Sequence, residues 1–326
     1  MDYVVGVDIG GTFTDCAVVD EDGAITIGKA LSTPGDFSQG VIAALLDVAR
    51  KLGFASEDDL VQSARLFLHA CTIGENTLFV REGANTGLIA TRGFGDTMFI
   101  MRGKITEGLT EAEANHISAL TKPDPYVPQH QVIEVNERVD SSGAVIIPLD
   151  EAAAIRSIEQ LIAQGVESVA VALLWSTVND AHEKAIARLL QERYPAVHVS
   201  LSSTVAPYVG EYERTATTVF NAYIAPKISR YLQSLDHTLK HKGLRRDPLI
   251  MQAYGGMLDV KATSKTAIGT IESGPAAGVV GSHFLGEFIG ERCQRRTKNA
   301  SARRSKDASV RRAGRPPAGG LPAFCN

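Results

Sequence analysis

Cysteine is scarce in this 326-residue chain, and what there is lies scattered. Cys16, Cys71, Cys293 and Cys325 form no Cys-x-x-Cys pair, which argues against a disulfide framework or a zinc site. No apolar run reaches the ~18 residues needed to span a bilayer. The N-terminus starts directly on a strand pattern, without a basic stretch followed by an apolar one, so a cytoplasmic location is the expectation. Walker A, His-Glu-x-x-His and Gly-x-Ser-x-Gly sequences are missing, which removes the P-loop, zincin and α/β-hydrolase readings. There is no internal repeat. What is present is 44% hydrophobic, at a mean hydropathy of −0.01. That composition suits a globular protein of two domains with apolar residues enough for buried cores.

The net charge of −4 conceals two segments of opposite sign. Residues 291–326 hold ten Lys/Arg against two Asp/Glu, net +8, and the rest holds 23 against 35, net −12. The basic stretch has almost no large apolar side chains and no period, so it cannot offset the entropy of ordering. Three readings stay open for it: a solvated tail, a nucleic-acid arm, or an out-of-frame terminus rich in Arg, Ala, Pro and Gly. The acidic body and the lack of interleaved aromatics argue against nucleic acid.

Strand and helix patterns alternate along the body, which reads as α/β. Val5, Val7 and Ile9 alternate up to Gly10-Gly11, and Cys16-Ala17-Val18-Val19 follows, predicting two antiparallel strands joined by a glycine hairpin. A third strand is expected over 24–31 and a helix over 36–52, closed by Gly53. Further strands are expected at 66–68, 87–90, 166–174, 197–200, 249–253 and 268–271. A hairpin is expected from 132–139 and 144–147. Helices are expected at 150–163, 179–193, 207–240 with a bend at Pro226, and 273–288.

Chemistry gathers first at the glycine hairpin. Adjacent Gly10 and Gly11 let backbone N–H groups approach an anion, and the Thr12 and Thr14 hydroxyls can add hydrogen bonds to phosphate oxygens. Asp8 and Asp15, with no basic neighbour in sequence, suit ordering a hydrated Mg²⁺ beside a nucleotide. A plain surface hairpin is the alternative. His69, Cys71 and Thr72 follow a strand, where α/β sheets place ligands, and could serve acid/base or nucleophilic work. A satisfied loop histidine and a small buried thiol account for them equally. Glu211 and Arg214 can pair one turn apart on the long helix, as a salt-bridged face or as the wall of an interdomain cleft. Ser273-Gly274-Pro275 opens a helix whose N-terminus could face an anion.

The Asp8-x-Gly10-Gly11-Thr12 segment resembles the first phosphate loop of the actin, sugar kinase and chaperone ATPase superfamily. Gly10-Gly11-Thr12-Phe13-Thr14-Asp15 narrows the resemblance to the A-type chain of the hydantoinase/oxoprolinase family. His69, Thr72, Gly74 and Asn76 match that family's next motif, whereas Cys71 and Glu75 depart from it; an anion at 75 would disfavour a nearby phosphate. Glu211-Tyr212-Glu213-Arg214-Thr215 and Ser273-Gly274-Pro275-Ala276-Ala277-Gly278 match as well, so the resemblance covers residues 3 to about 288.

The resemblance implies an actin-like ATPase (ribonuclease H-like) α/β fold, its first domain complete and its second truncated. The boundaries it implies are 1–200 for the N-terminal region, 201–290 for an incomplete second domain, and 291–326 for the tail. It implies an ATP-dependent hydrolase that opens a hydantoin- or 5-oxoproline-type cyclic amide by phosphorylating the amide oxygen, with ATP and Mg²⁺ as cofactors and a B-type subunit as partner. Asp8 and Asp15 would order the metal, with His69 as a further catalytic candidate. Gly10, Gly11, Thr12 and Thr14 would cradle phosphate, and Thr72, Asn76, Glu211 and Arg214 would line the substrate cleft. The family's second Asp-x-Gly-Gly-Thr has no match here, so weak or absent turnover is expected from this chain alone. A non-catalytic partner-docking module and a sugar kinase are the competing readings; the latter lacks a convincing catalytic-base aspartate.

Overall fold

A computed structural model describes residues 2–288 apart from 107 and 121. The chain divides at Ala277/Gly278. Both main sheets lie in the first unit; of the second, only the helical residues up to 288 are described, with Val279, Val280, Phe284 and Leu285 exposed. The basic stretch 291–326, with its three readings, lies outside the described residues.

β1 (Tyr3–Ile9), β2 (Phe13–Val19) and β3 (Ile25–Leu31) form an antiparallel meander. Residues of odd number in β1 and of even number in β2 face inward, the period-2 alternation expected of a sheet with one buried face. α1 (Phe37–Lys51) packs on that face. Asp36 caps it by accepting from Ser38 N–H, and Arg50 and Lys51 end it. α2 (Glu57–Gln62) starts on a Ser56/Asp59 capping box. β4 (Ala64–Cys71) then runs parallel to β1, and α3 (Ile73–Phe79) follows directly.

The second sheet begins with β5 (Thr86–Thr91). After the short helices α4 (Thr97–Ile100) and α5 (Glu111–Ala114), β6 (Val132–Val135) pairs parallel to β5. β7 (Arg138–Val139) and β8 (Val145–Ile147) make a separate small hairpin. α6 (Glu151–Ile162), β9 (Ser168–Ala172), α7 (Ala181–Arg193) and β10 (His198–Leu201) complete a four-stranded parallel sheet in the order β10-β9-β5-β6. α8 (Ser202–Val205) leads to α9 (Glu211–His241), 31 residues long. The chain returns to the first sheet with β11 (Leu249–Met251) and β12 (Met257–Asp259), giving the order β12-β11-β4-β1-β2-β3. α10 (Val260–Lys265) and α11 (Ser273–Phe288) follow.

Two larger cores and a smaller one result. Under the first sheet, Val5, Val7 and Ile9 meet Val41, Leu45 and Val48 of α1 and Ile228, Leu232 and Leu235 of α9. Under the second, Ile89, Val169 and Val171 meet Ile158, Leu161 and Ile186. Val219 and Ala222, nearer the start of α9, pack with Leu88, Ala170 and Ala172 of the second sheet.

Four expectations need correction. β4 runs on through His69 to Cys71, so the histidine lies inside a strand rather than after it. Residues 132–139 do not form one hairpin arm: β6 joins the parallel sheet, and only β7 pairs with β8. Residues 267–270 form a 3-10 turn instead of a strand, because buried Asn221 on α9 takes the Ile268 N–H at 2.9 Å. β12 was not expected; Gly255, at φ +86°, turns the chain so that Met257 pairs with Met251.

Gly28 sets how closely α1 approaches the meander. A Cβ there would lie 2.4 Å from Val48 Cγ2 and 2.9 Å from the Ala44 carbonyl oxygen. Gly28→Ala should therefore lower stability by about 1–3 kcal/mol through overpacking. Urea denaturation measures this; a loss below ~0.5 kcal/mol, the range of ordinary surface changes, would show that α1 yields.

Candidate functional site

The glycine hairpin sits where β1 ends, beside the parallel neighbour β4. Gly10 N–H donates to the Phe13 carbonyl at 2.9 Å, closing the turn and using that donor. The Ser32 hydroxyl donates to Gly10 C=O at 2.8 Å, and Thr72 donates to Ile9 C=O from both its N–H and its hydroxyl. These bonds hold the base of the hairpin and leave Gly11 and Thr12 exposed at its tip. Neither Gly10 nor Gly11 has a positive φ. Their role is thus close approach rather than left-handed backbone: a Cβ on Gly11 would point at the Asn76 side-chain nitrogen, 3.8 Å away.

Asp8 and Asp15 are directly opposed in the β1–β2 register. Asp15 is paired with Lys29 at 2.8 Å, across the β2–β3 register. Asp8 has no hydrogen-bond or ion-pair partner among the described residues, and burial followed by the Asp15 charge raises its pKa above the usual carboxylate value. The start of α11 lies beside it: a Cβ on Gly274 would be 3.6 and 3.7 Å from the two Asp8 oxygens. Ser273 holds this helix start by donating to the Cys71 carbonyl at 3.3 Å. Glu75 accepts the Glu272 N–H, so its carboxylate occupies the N-terminal end of α11. Burial, then the charges of Glu272 and Asp8, raises the Glu75 pKa against that hydrogen bond. Glu272 itself sits at φ +62°, a strained left-handed conformation for a side chain of its size. Below Asp8 a largely apolar cavity of about 340 Å³ is lined by Gly6, Ala17, Leu68 and Met251 among others.

Asp8, Gly10, Gly11, Thr12, Asp15, Thr72 and Asn76 are therefore brought together. Five predicted residues are not. Thr14 is fully buried and shares a 3.1 Å hydrogen bond with Ser32, because residues of even number in β2 face the core; it cannot contact phosphate. His69 is 1% exposed, its Nδ1 on the Val7 carbonyl at 3.1 Å and its Nε2 on the Tyr231 hydroxyl at 2.8 Å. Burial lowers its pKa to about 4, so it is a neutral structural bridge from β4 to α9 and not an acid/base group. Cys71, also buried, has its thiol pushed up to about 12, which removes it as a nucleophile. Arg214 is 1% exposed and donates to the Leu173 carbonyl at 2.7 Å and to Glu211. Burial raises the Glu211 pKa, while the Arg214 charge opposes it. At ~1.5 Å per helical residue, Glu211 is about 30 Å along α9 from Tyr231, so this pair belongs to the far end of the structure.

Comparison with known proteins fits this arrangement. The family model for the hydantoinase/oxoprolinase N-terminal region matches residues 4–194, and the hydantoinase/oxoprolinase model matches 214–293. The chain belongs to the hydantoinase/oxoprolinase family. It is 34% identical to the acetophenone carboxylase gamma subunit of Aromatoleum aromaticum, over 88% of this chain and 39% of that one. It is 32% identical to the caprolactamase alpha subunit of Pseudomonas jessenii, over 84% and 39% respectively. The nucleotide-free structure of acetone carboxylase, an ATP-dependent system, superposes with a TM-score of 0.80 at 32% identity, covering 88% of this chain and 41% of that one. The chain thus spans about 40% of the length of these relatives. The fold is the mixed α/β architecture of the actin-like ATPase type.

Reading residues alone missed Lys29, which pairs with Asp15, and the approach of Glu75 and Gly274 to Asp8. Lys29 was legible: counting outward from the Asp20–Ala24 turn places it opposite Asp15. The α11 contact joins segments some 200 residues apart and left no local signal.

The His69 reading gives a pH test. The unfolded chain would take up a proton near 6.5 and the folded chain only near 4. His69 therefore contributes stability that is complete above 6.5 and lost as pH falls toward 4, a swing of about 3 kcal/mol. Urea midpoints should fall across this window in the wild type and fall less in His69→Phe, which cannot charge. Equal slopes would show that His69 titrates normally.

Proposed function

We propose that this chain supplies the phosphate-binding hairpin of an ATP-dependent hydrolase that opens a cyclic amide, acting as an A-type subunit beside a B-type partner. The observation that carries the reading is Asp8: an unpartnered carboxylate between an exposed Gly-Gly-Thr turn and a helix N-terminus. Support also comes from the relatives, which are named as subunits and include an ATP-dependent caprolactamase.

The donor set fits a magnesium nucleotide better than a bare one. Asp15 opposes Asp8 across the hairpin and Glu75 also lies near it, a gathering of negative charge that would repel uncompensated phosphate. Among the described residues no group of three or more His, Cys, Asp or Glu could hold a metal by itself. Mg²⁺ needs no such cage, since it keeps several waters and is held by one or two carboxylates plus phosphate oxygens. ATP would supply the phosphoryl group that activates an amide oxygen, with Mg²⁺ screening the charge.

The chain's own residues then divide the work. Asp8 would accept hydrogen bonds from the cation's waters. Gly11 N–H and the Thr12 N–H and hydroxyl, at the exposed tip, would be the donors for phosphate oxygens. Lys29 pairs with Asp15 and offsets part of its charge. Thr72 fixes the hairpin base through Ile9, and Asn76 flanks Gly11 with a neutral amide.

Calorimetric titration of the full chain with Mg·ATP tests this. Asp8→Asn should weaken binding at least tenfold, about 1.4 kcal/mol, while Thr14→Val, altering a buried hydroxyl, should leave affinity unchanged. An Asp8→Asn variant that binds like wild type, or no magnesium-dependent binding at all, would overturn the reading.

A further inference from the structure

We propose a second small-molecule site, for a carboxylate with an apolar body, in the aromatic pocket beside the first third of α9. The pocket encloses about 270 Å³, the space of roughly nine liquid waters at ~30 Å³ each. It shares no lining residue with the cavity below Asp8, and nothing in the nucleotide reading uses it.

Its walls are apolar and preformed. Met98, Phe99, Met101, Tyr126, Tyr212 and Phe220 line it. Tyr126 is wedged edge-to-face between Phe220 and Tyr223, at 5.0 Å from each ring, which fixes the back wall without a ligand.

Its cations are Arg81 and Lys122, which share the lining with one carboxylate, Asp124. Arg81 Nη2 donates to the Asp124 backbone carbonyl at 2.8 Å, and its guanidinium lies 4.6 Å over the Tyr126 ring. Lys122 Nζ donates to the Phe99 carbonyl at 2.6 Å. Neither forms an ion pair with Asp124 or with any other of the described residues. Carbonyl bonds and a ring face orient the two cations, which stay exposed at the pocket's edge with N–H groups still free to donate. Arg81 and Met101 are also held at φ 56° and 52°, in the left-handed region side chains avoid, so the surrounding structure sets both walls.

This chemistry selects its ligand. An aromatic slot takes an alkyl or aryl body, and the guanidinium's spare N–H groups match the two oxygens of a carboxylate. A neutral amide of the same shape would leave the cations unpaired, and a small inorganic anion would leave the aromatic walls unfilled.

Titrating the full chain with hexanoate, hexanamide and inorganic phosphate separates these cases. Hexanoate should bind saturably at one site, hexanamide and phosphate at least tenfold more weakly. Lys122→Met and Arg81→Met should each weaken hexanoate at least fivefold, while Asp8→Asn leaves it unchanged. Lys122 is exposed, so its variant retains the fold and carries the test if Arg81→Met does not. No saturable hexanoate binding, equal binding of hexanamide or phosphate, or a folded Lys122→Met that binds hexanoate like wild type would each overturn the proposal.

Discussion

Helix α9 is the constraint on which the rest of residues 1–277 depends. At ~1.5 Å per residue its 31 residues span about 46 Å. Its first half closes the small core on the parallel sheet through Val219 and Ala222, and its second half closes the core of the mixed sheet through Ile228 to Leu239. Buried polar groups set its register. Asn221 donates to Ser200 at 2.9 Å and to the Lys265 carbonyl at 3.1 Å, and accepts from Ile268. Arg214 binds the Leu173 carbonyl behind β9, and Tyr231 binds His69 in β4. Each is a buried donor or acceptor whose partner lies on a different element, so a slip of α9 would leave several unsatisfied at once.

That role explains which site residues could be read from sequence. Asp8, Gly10, Gly11 and Thr12 are contiguous, and a strand–turn–strand pattern places them without knowledge of the rest of the molecule. Thr72 and Asn76 follow because β4 is parallel to β1 and ends level with it. Thr14 was misplaced although its parity was available: Cys16 and Val18, two and four residues on, are core residues, so Thr14 shares their buried face. His69 and Arg214 failed for another reason. A polar residue in a motif looks chemical, and only the path of α9 shows that both are internal hydrogen-bonding partners. Most of the strands and long helices were legible from periodicity and capping; β12 and the 267–270 turn were decided by Gly255 and Asn221, which act through tertiary pairing.

The two ends of α9 also separate two kinds of polar site. At its start, charge is consumed internally. Glu183 accepts from Leu173 N–H, the Ser202 hydroxyl and Ser203 N–H, while Glu137 accepts from Thr91 and pairs with His182 at 2.7 Å. Both carboxylates are buried and accept from neighbouring elements, a network that specifies packing even though Ser203 Oγ and Arg214 Nε beside it have no partner. The hairpin has the opposite character, with an exposed Gly11-Thr12 tip and an unpartnered carboxylate.

Around the hairpin, the carboxylates are answered unequally. Asp15 has Lys29, and Glu75 has the Glu272 N–H and the positive end of α11. Asp8 lies close to both acids and, although the start of α11 is beside it, accepts no hydrogen bond and forms no ion pair among the described residues, while burial and Asp15 oppose its ionisation. Fold stability alone gives no reason for this, since an asparagine at position 8 would fit the same strand without the repulsion. A carboxylate left short of counter-charge next to open backbone donors makes sense if the missing charge arrives with a ligand. A hydrated divalent cation carrying phosphate supplies both signs in one particle, the cation for Asp8 and the anion for Gly11 and Thr12, and so relieves the repulsion that the protein leaves in place.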